Sequence, residues 1–200
     1  MILGKMKILI ACEYSGTVRR AFAANGHTVT SCDLLPSDDD SKDHYQGDVF
    51  DLLNNNKYDL MIAHPPCTHL AVSGAAWFKA KRESGVQQEA LAFVQRLMDA
   101  DIPKICIENP VSIISSQIRK PEQIIQPYQF GHLEQKKTCL WLKNLPNLAD
   151  TNNVYDEMMT LPKKDREKMH YLPPSPDRWK LRSKTYQGIA DAMANQWGAE

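Results

Sequence analysis

The stretch MIAHPPCTHLAVSG at positions 61–74 places a thiol, Cys67, directly behind Pro65 and Pro66. Two successive prolines fix φ twice and remove two backbone donors, so the turn has lost much of its chain entropy before a substrate arrives. That suits a nucleophile held in one attacking geometry, since prepaid positioning is a large part of catalysis. A second apolar run, KICIENP at 104–110, closes on Glu108 and Asn109. A partly buried acid at the end of such a run needs either a partner or a task. His64, Cys67 and His69 match no common tetrahedral zinc spacing and no fourth ligand is evident, so no metal is expected. Trp77 and Phe78 are read as packing residues.

These side chains must be carried by elements that converge. KMKILIACE, then YSG, then TVRRAFAANG and HTVTSCDL read as strand, glycine turn, helix and strand, with Asp33 closing the second strand. This order opens a doubly wound, mostly parallel α/β sheet of the nucleotide-binding kind. LPSDDDSKDHYQ (35–46) reads as an acidic, mobile loop, and GDVFDLL follows it. YDLMIAH and PKICIENP read as buried strands, and Val86, Ala90, Leu91, Val94, Leu97 and Met98 form one helical stripe between them. YQFGHLEQKKTCLWL (128–142) predicts a hairpin or two late strands. In an open parallel sheet, ligands sit beyond the carboxyl ends of the strands, which here carry Glu13, Asp33, Cys67, Glu108 and Asn109.

Residues 1–145 are therefore read as the core, 146–182 as a loop-rich basic insertion with one short helix near LPKKDREKM, and 183–200 as a helix returning to the core. From Lys163 to Lys184 eight Lys/Arg face three acids, a local net of +5. The whole chain of 200 residues is neutral, with 24 Lys+Arg against 24 Asp+Glu, so any grip on nucleic acid must be local. Five widely spaced cysteines without a C-x-x-C suit a reducing cytosol better than a disulfide framework. No apolar stretch reaches a membrane span and no signal-peptide pattern is clear, so a cytoplasmic protein is expected, as in a bacterial or phage-infected cell.

HPPCTHLAVSG with IENPVS resembles the Pro-Cys and Glu-Asn-Val motifs of the DNA cytosine-C5 methyltransferases. The order of the other segments is similar too. ACEYSGTVRRAF stands at that family's S-adenosylmethionine loop, Asp33 at its ribose acid, and GDVF, with Asp48, beside the adenine. GHLEQKKT resembles its G-x-P-Q-x-R-x-R segment and TYQGIADAMANQWG its C-terminal cofactor-side helix. The likeness covers roughly residues 7–142 and 183–198, and the size is similar to that of small, phage-type members.

The resemblance implies an S-adenosylmethionine-dependent methyltransferase of Rossmann-like fold that methylates C5 of cytosine in DNA through a covalent cysteine adduct. Cys67 would attack C6, Glu108 as the protonated acid would bond N3, Asn109 would orient the Cys67 loop, and Lys136 would face the base or its phosphate. Glu13, Tyr14, Ser15, Gly16, Asp33, Asp48 and Pro65 would line the cofactor, and Ser73, Lys136, Lys137, Arg178, Lys180 and Arg182 would meet nucleic acid. The target base would have to leave the stack, at a cost of a few kcal/mol.

The chain departs from the pattern in having only Gly16 in the cofactor loop, Glu134 for Gln, Thr138 for the second Arg, and no Gly-Asn pair in the last segment. About forty residues stand where relatives carry a whole recognition domain, too few for much base readout. Low specificity, a protein partner that supplies it, or a single-stranded or free pyrimidine nucleotide substrate is therefore expected. A catalytically silent relative that binds cofactor or nucleic acid is the alternative from another class.

Overall fold

The computed structural model describes residues 4–199. Its first half alternates strand and helix: β1 Lys7–Ala11, α1 Thr17–Ala24, β2 Thr28–Asp33, β3 His44–Gln46, α2 Val49–Asn55 and β4 Leu60–Ala63. A 3₁₀ turn at Val72–Trp77 leads into α3 Phe78–Glu83 and α4 Val86–Met98, then β5 Lys104–Pro110 and α5 Ile114–Gln117. Strands β6 Gln123–Ile125 and β7 Thr138–Lys143 complete one seven-stranded sheet in the order β3-β2-β1-β4-β5-β7-β6. Pairings β1–β2, β1–β4, β2–β3 and β4–β5 are parallel, whereas β7 runs antiparallel between β5 and β6.

Alternation along the central strands divides the core into two layers. Ile8, Ile10, Leu60, Ile62 and Cys106 face Val18 and Phe22 of α1 and a C-terminal helix, α10 (Gln187–Trp197), with Ile189, Met193 and Trp197. Leu9, Ala11, Met61, Ala63, Ile105 and Ile107 face Val94 and Leu97 of α4 and Val49 of α2. Both faces being covered explains why β1, β4 and β5 read as nearly continuous apolar runs.

Three expectations are corrected. The span 128–142 holds one strand only, and its hairpin partner lies upstream at Gln123–Ile125, because Gln126–Gln129 turns into a 3₁₀ segment behind Pro127. Residues 146–184 hold four short helices, α6 Tyr155–Met159, α7 Lys163–Arg166, α8 Lys168–Tyr171 and α9 Arg178–Ser183, where one was expected. The acidic loop is anchored: Asp39 accepts from Arg19 Nη2 at 2.5 Å and Arg20 Nη1 at 2.6 Å, which ties it to α1 and holds its carboxyl, against burial, down at about 2. No helix among the described residues is long and apolar enough to cross a membrane.

Candidate active site

The pairing register builds the site. Cys32, Ala11, Ala63 and Ile107 lie side by side across β2, β1, β4 and β5. One residue further on, at the strand ends, the next row is Asp33, Cys12, His64 and Glu108. Alternation from Ile62 and Cys106 turns His64 and Glu108 to the face of α1 and α10, whereas Cys12, at φ 58°, leaves the extended conformation and packs with the opposite layer. His64 N donates to Ala11 O at 2.9 Å and Glu13 N to Cys32 O at 3.0 Å, so the register persists past the strand ends.

His64 and Glu108 meet in this row. Nδ1 of His64 and Oε2 of Glu108 are 2.8 Å apart, with the side chains only 8% and 15% exposed. Burial opposes the imidazolium, but the hydrogen bond and charge of Glu108, aided by Glu13, outweigh it and hold His64 above its ordinary value. Burial likewise opposes the Glu108 carboxylate, yet His64 and Lys136 hold it below the usual carboxylate range. That direction favours a carboxylate at Glu108 beside His64, whereas the resemblance implies a protonated acid when the base is bound.

Cys67 follows the two prolines on a turn whose carbonyl, Cys67 O, accepts from Leu70 N (3.0 Å) and Ala71 N (2.9 Å). Buried Asn109, next to Glu108 on β5, donates from Nδ2 to Pro65 O at 2.7 Å and so ties the Cys67 turn to the strand carrying the acid. Burial and then the Glu108 charge raise the Cys67 thiol, while Lys136 and Arg182 pull it back. These four groups thus share one electrostatic neighbourhood.

The loop after β1 is closed on itself. Oε1 of buried Glu13 accepts from Val18 N (2.7 Å) and Oε2 from Arg19 N (3.2 Å), which caps the start of α1. Gly16 adopts φ 67°, and a Cβ there would meet Arg19 Nη2 at 2.6 Å, so the chain needs glycine. Ser15 hydrogen-bonds Glu13 and Thr17, and Tyr14 Oη donates to Lys180 O at 3.0 Å and lies 3.0 Å from Ser183 Oγ. Cys12, Glu13, Tyr14, Ser15 and His64 thus face Ser183–Thr185 across a cavity of about 40 Å³.

Of the other residues singled out, Asp33 Oδ1 accepts from Leu35 N (2.9 Å), and burial raises its carboxyl. Asp48 is exposed and caps α2 through Phe50 N (2.9 Å), and Pro65 is buried in the Cys67 turn. Lys136 Nζ donates to Arg182 O at 2.8 Å, which brings α9 to the site. Ser73 and Lys137 are exposed, while Arg178 and Lys180 are half-buried in α9, beside an exposed Trp179. Part of the basic run is committed internally, with Lys168 on Glu134 (2.8 Å) and Lys184 on Asp38 (2.7 Å). Trp77 corrects its expectation: it is 69% exposed beyond the Cys67 loop rather than packed. No cluster of three or more His, Cys, Asp or Glu among the described residues could hold a metal.

A groove of about 570 Å³ lies elsewhere, between the ends of α2 and α4 at Leu53–Lys57 and Asp99–Ile102. It sits at the amino ends of β4 and β5 and contains none of the reactive groups. In this fold class chemistry belongs at the opposite edge, so size does not identify the site here. The histidine was the residue sequence reasoning missed as a functional group. Its signal was present, because alignment of YDLMIAH beside PKICIENP brings His64 against Glu108.

Strand order, parallel core and antiparallel β7 define a Rossmann-like, doubly wound and mostly parallel α/β fold. No family model and no curated protein matches the chain. Similar solved structures include the bifunctional kinase-methyltransferase WbdD (12% identity, 73% of this chain and 36% of that one, TM-score 0.40). An rRNA methylase from Escherichia coli is similar at 14% identity over 68% of this chain and 56% of its own, TM-score 0.40. The Dnmt2 methyltransferase of S. pombe is similar at 14% identity over 89% of this chain and 62% of its own, TM-score 0.44. The chain spans about one to two thirds of the lengths of these structures.

Proposed function

We propose that the protein is a methyltransferase that adds Cys67 to C6 of cytosine and methylates C5, with S-adenosylmethionine as donor. The observation that carries this reading is the Asn109–Pro65 hydrogen bond of 2.7 Å, which fastens the thiol-bearing turn to the strand that presents Glu108. A nucleophile and a charge-stabilising group are thereby tied into one electrostatic neighbourhood, which supports addition to a pyrimidine.

The donor set suits the cofactor in chemistry. Asp33 at the end of β2 would suit a ribose diol and the partnerless, buried Nε2 of His64 an acceptor group, while Glu13, with both oxygens taken by Val18 N and Arg19 N, would shape the loop around the cofactor. A cavity of about 40 Å³ is far below the few hundred Å³ of an ordinary ligand site, so Ser183–Thr185 must move outward to admit it. When bound, the cofactor supplies an electrophilic methyl group. Cys67 makes the C6–S bond, and Glu108 bonds N3 as charge develops. Loss of the C5 proton to solvent after methylation re-forms C5=C6 and expels the Cys67 thiolate, and Lys136 and Arg182 favour that thiolate.

DNA is the substrate class we propose, with Ser73, Lys137, Arg178, Lys180 and Arg182 on its side of the site. A single strand or a free pyrimidine nucleotide is the second reading, favoured by an insertion of four short helices whose cations are partly committed to Glu134 and Asp38. The test is incubation with labelled S-adenosylmethionine and duplex DNA, single-stranded DNA or dCMP, repeated with 5-fluorocytosine DNA. A trapped adduct that vanishes in Cys67→Ala is the expected result. Cofactor binding with neither adduct nor transfer to any substrate would instead identify a silent relative.

A further inference from the structure

Cytosine N3 must gain a proton as C6 is attacked, yet Glu108, the group placed to give it, rests as a carboxylate beside His64. Resting on the function proposed above, we propose that His64 is the positioning residue that stores this proton and passes it through Glu108 to N3. Three observations carry the assignment. The 2.8 Å contact from Nδ1 to Oε2 is a direct route for one proton. It is built by the sheet register, Ala63 beside Ile107, and not by a mobile side chain. Nε2 is buried without a partner, an arrangement that costs about 1–3 kcal/mol and is kept where a group has a task other than stability.

The step balances. The Cys67 proton leaves to solvent beforehand. As the C6–S bond forms, the C5=C6 pair moves to C4–C5 and the C4=N3 pair settles on N3. N3 takes a proton from Glu108 while Glu108 takes the Nδ1 proton, leaving a neutral imidazole and a carboxylate that accepts from N3–H. When the thiolate departs at the end of the cycle, the N3 proton returns by the same route. Several charges face this ring. Glu13 from the β1 loop and Asp33 from β2 favour the imidazolium, as Glu108 does, whereas Lys136 opposes it. Cys12, Tyr14 and Lys184 line the same cavity, and Cys67 and Arg182 lie in the field of Glu108 and Lys136.

The experiment has an arm independent of turnover. Ring resonances of His64, followed by NMR across pH in the whole protein, should titrate above the free value of about 6.5 and fall back toward it in Glu108→Gln. A ring already neutral at pH 6 would overturn the proposal. In the second arm, the rate of adduct formation on 5-fluorocytosine DNA is measured against pH for wild type, His64→Gln and His64→Ala. Gln can still donate one hydrogen bond to Glu108 but stores no proton. The rate in His64→Gln should fall at least about tenfold at neutral pH, and its alkaline limb should move acidward. Full rescue by Gln with the wild-type profile would reduce His64 to a structural support and overturn the delivery step alone. A protonated ring in a wild type that forms no adduct on any substrate would overturn the thiol reading and delivery together.

Discussion

Cys67 is not an activated thiol at rest. Its burial and the neighbouring Glu108 carboxylate both disfavour the thiolate, and Lys136 and Arg182 recover only part of the loss. Reactivity must therefore grow when substrate or the Glu108 proton balance changes the local charge. Alkylation of Cys67 by iodoacetamide at pH 8, followed by peptide mass spectrometry, should be slower than that of a free cysteine. Glu108→Gln removes a negative neighbour, lowers the thiol pKa and should speed the reaction a few-fold, whereas Lys136→Met should slow it. Equal rates in all three proteins would detach Cys67 from this charge cluster. The thiol, the acid and the amide were legible as residue types at strand ends. The ionisation state of Glu108 was not, because it depends on a histidine 44 positions away.

At the scale of elements, the return of α10 to the sheet closes the site. Gly188 opens that helix against the loop before β7: its N donates to His132 Nε2 at 3.0 Å, and an added Cβ would stand 2.0 Å from Phe130 O. The obstacle is backbone, which cannot rotate aside. Gly188→Ala should cost about 1–3 kcal/mol in urea unfolding, as overpacking usually does, and should loosen the α9–α10 connection. An unchanged unfolding midpoint would show that this docking tolerates a methyl group. The sequence marked α10 by its apolar spacing. The close approach at Gly188 was invisible there, since a glycine inside a helical pattern looks like a weak position.

For the whole molecule, the buried His64–Glu108 pair makes stability depend on pH with a definite sign. Glu108, depressed in the folded state, contributes above its unfolded value of about 4.3 and loses that contribution as pH falls through the folded value. His64, raised in the folded state, contributes below about 6.5 and loses it as pH rises through the folded value. The stability advantage of wild type over His64→Gln should thus be greatest between about pH 4.3 and 6.5 and shrink on either side. Thermal unfolding across pH checks this, and a constant difference would mean the pair carries no net ionic contribution.

Sequence alone determined the strand-helix alternation, the parallel core and the C-terminal edge as the chemical edge, because burial on both faces imposes continuous apolar runs that end where polar chemistry starts. The spacing around β6 and the run 146–184 misled because short, polar elements take their form from what they pack on, as Phe130 and α10 show. Only the tertiary structure decided that Asp33, Cys12, His64 and Glu108 form one row, that Glu13 fills the start of α1, and that Trp77 stands exposed. Register between distant strands is set by which faces are buried together, and charge state by what then lies within hydrogen-bond reach.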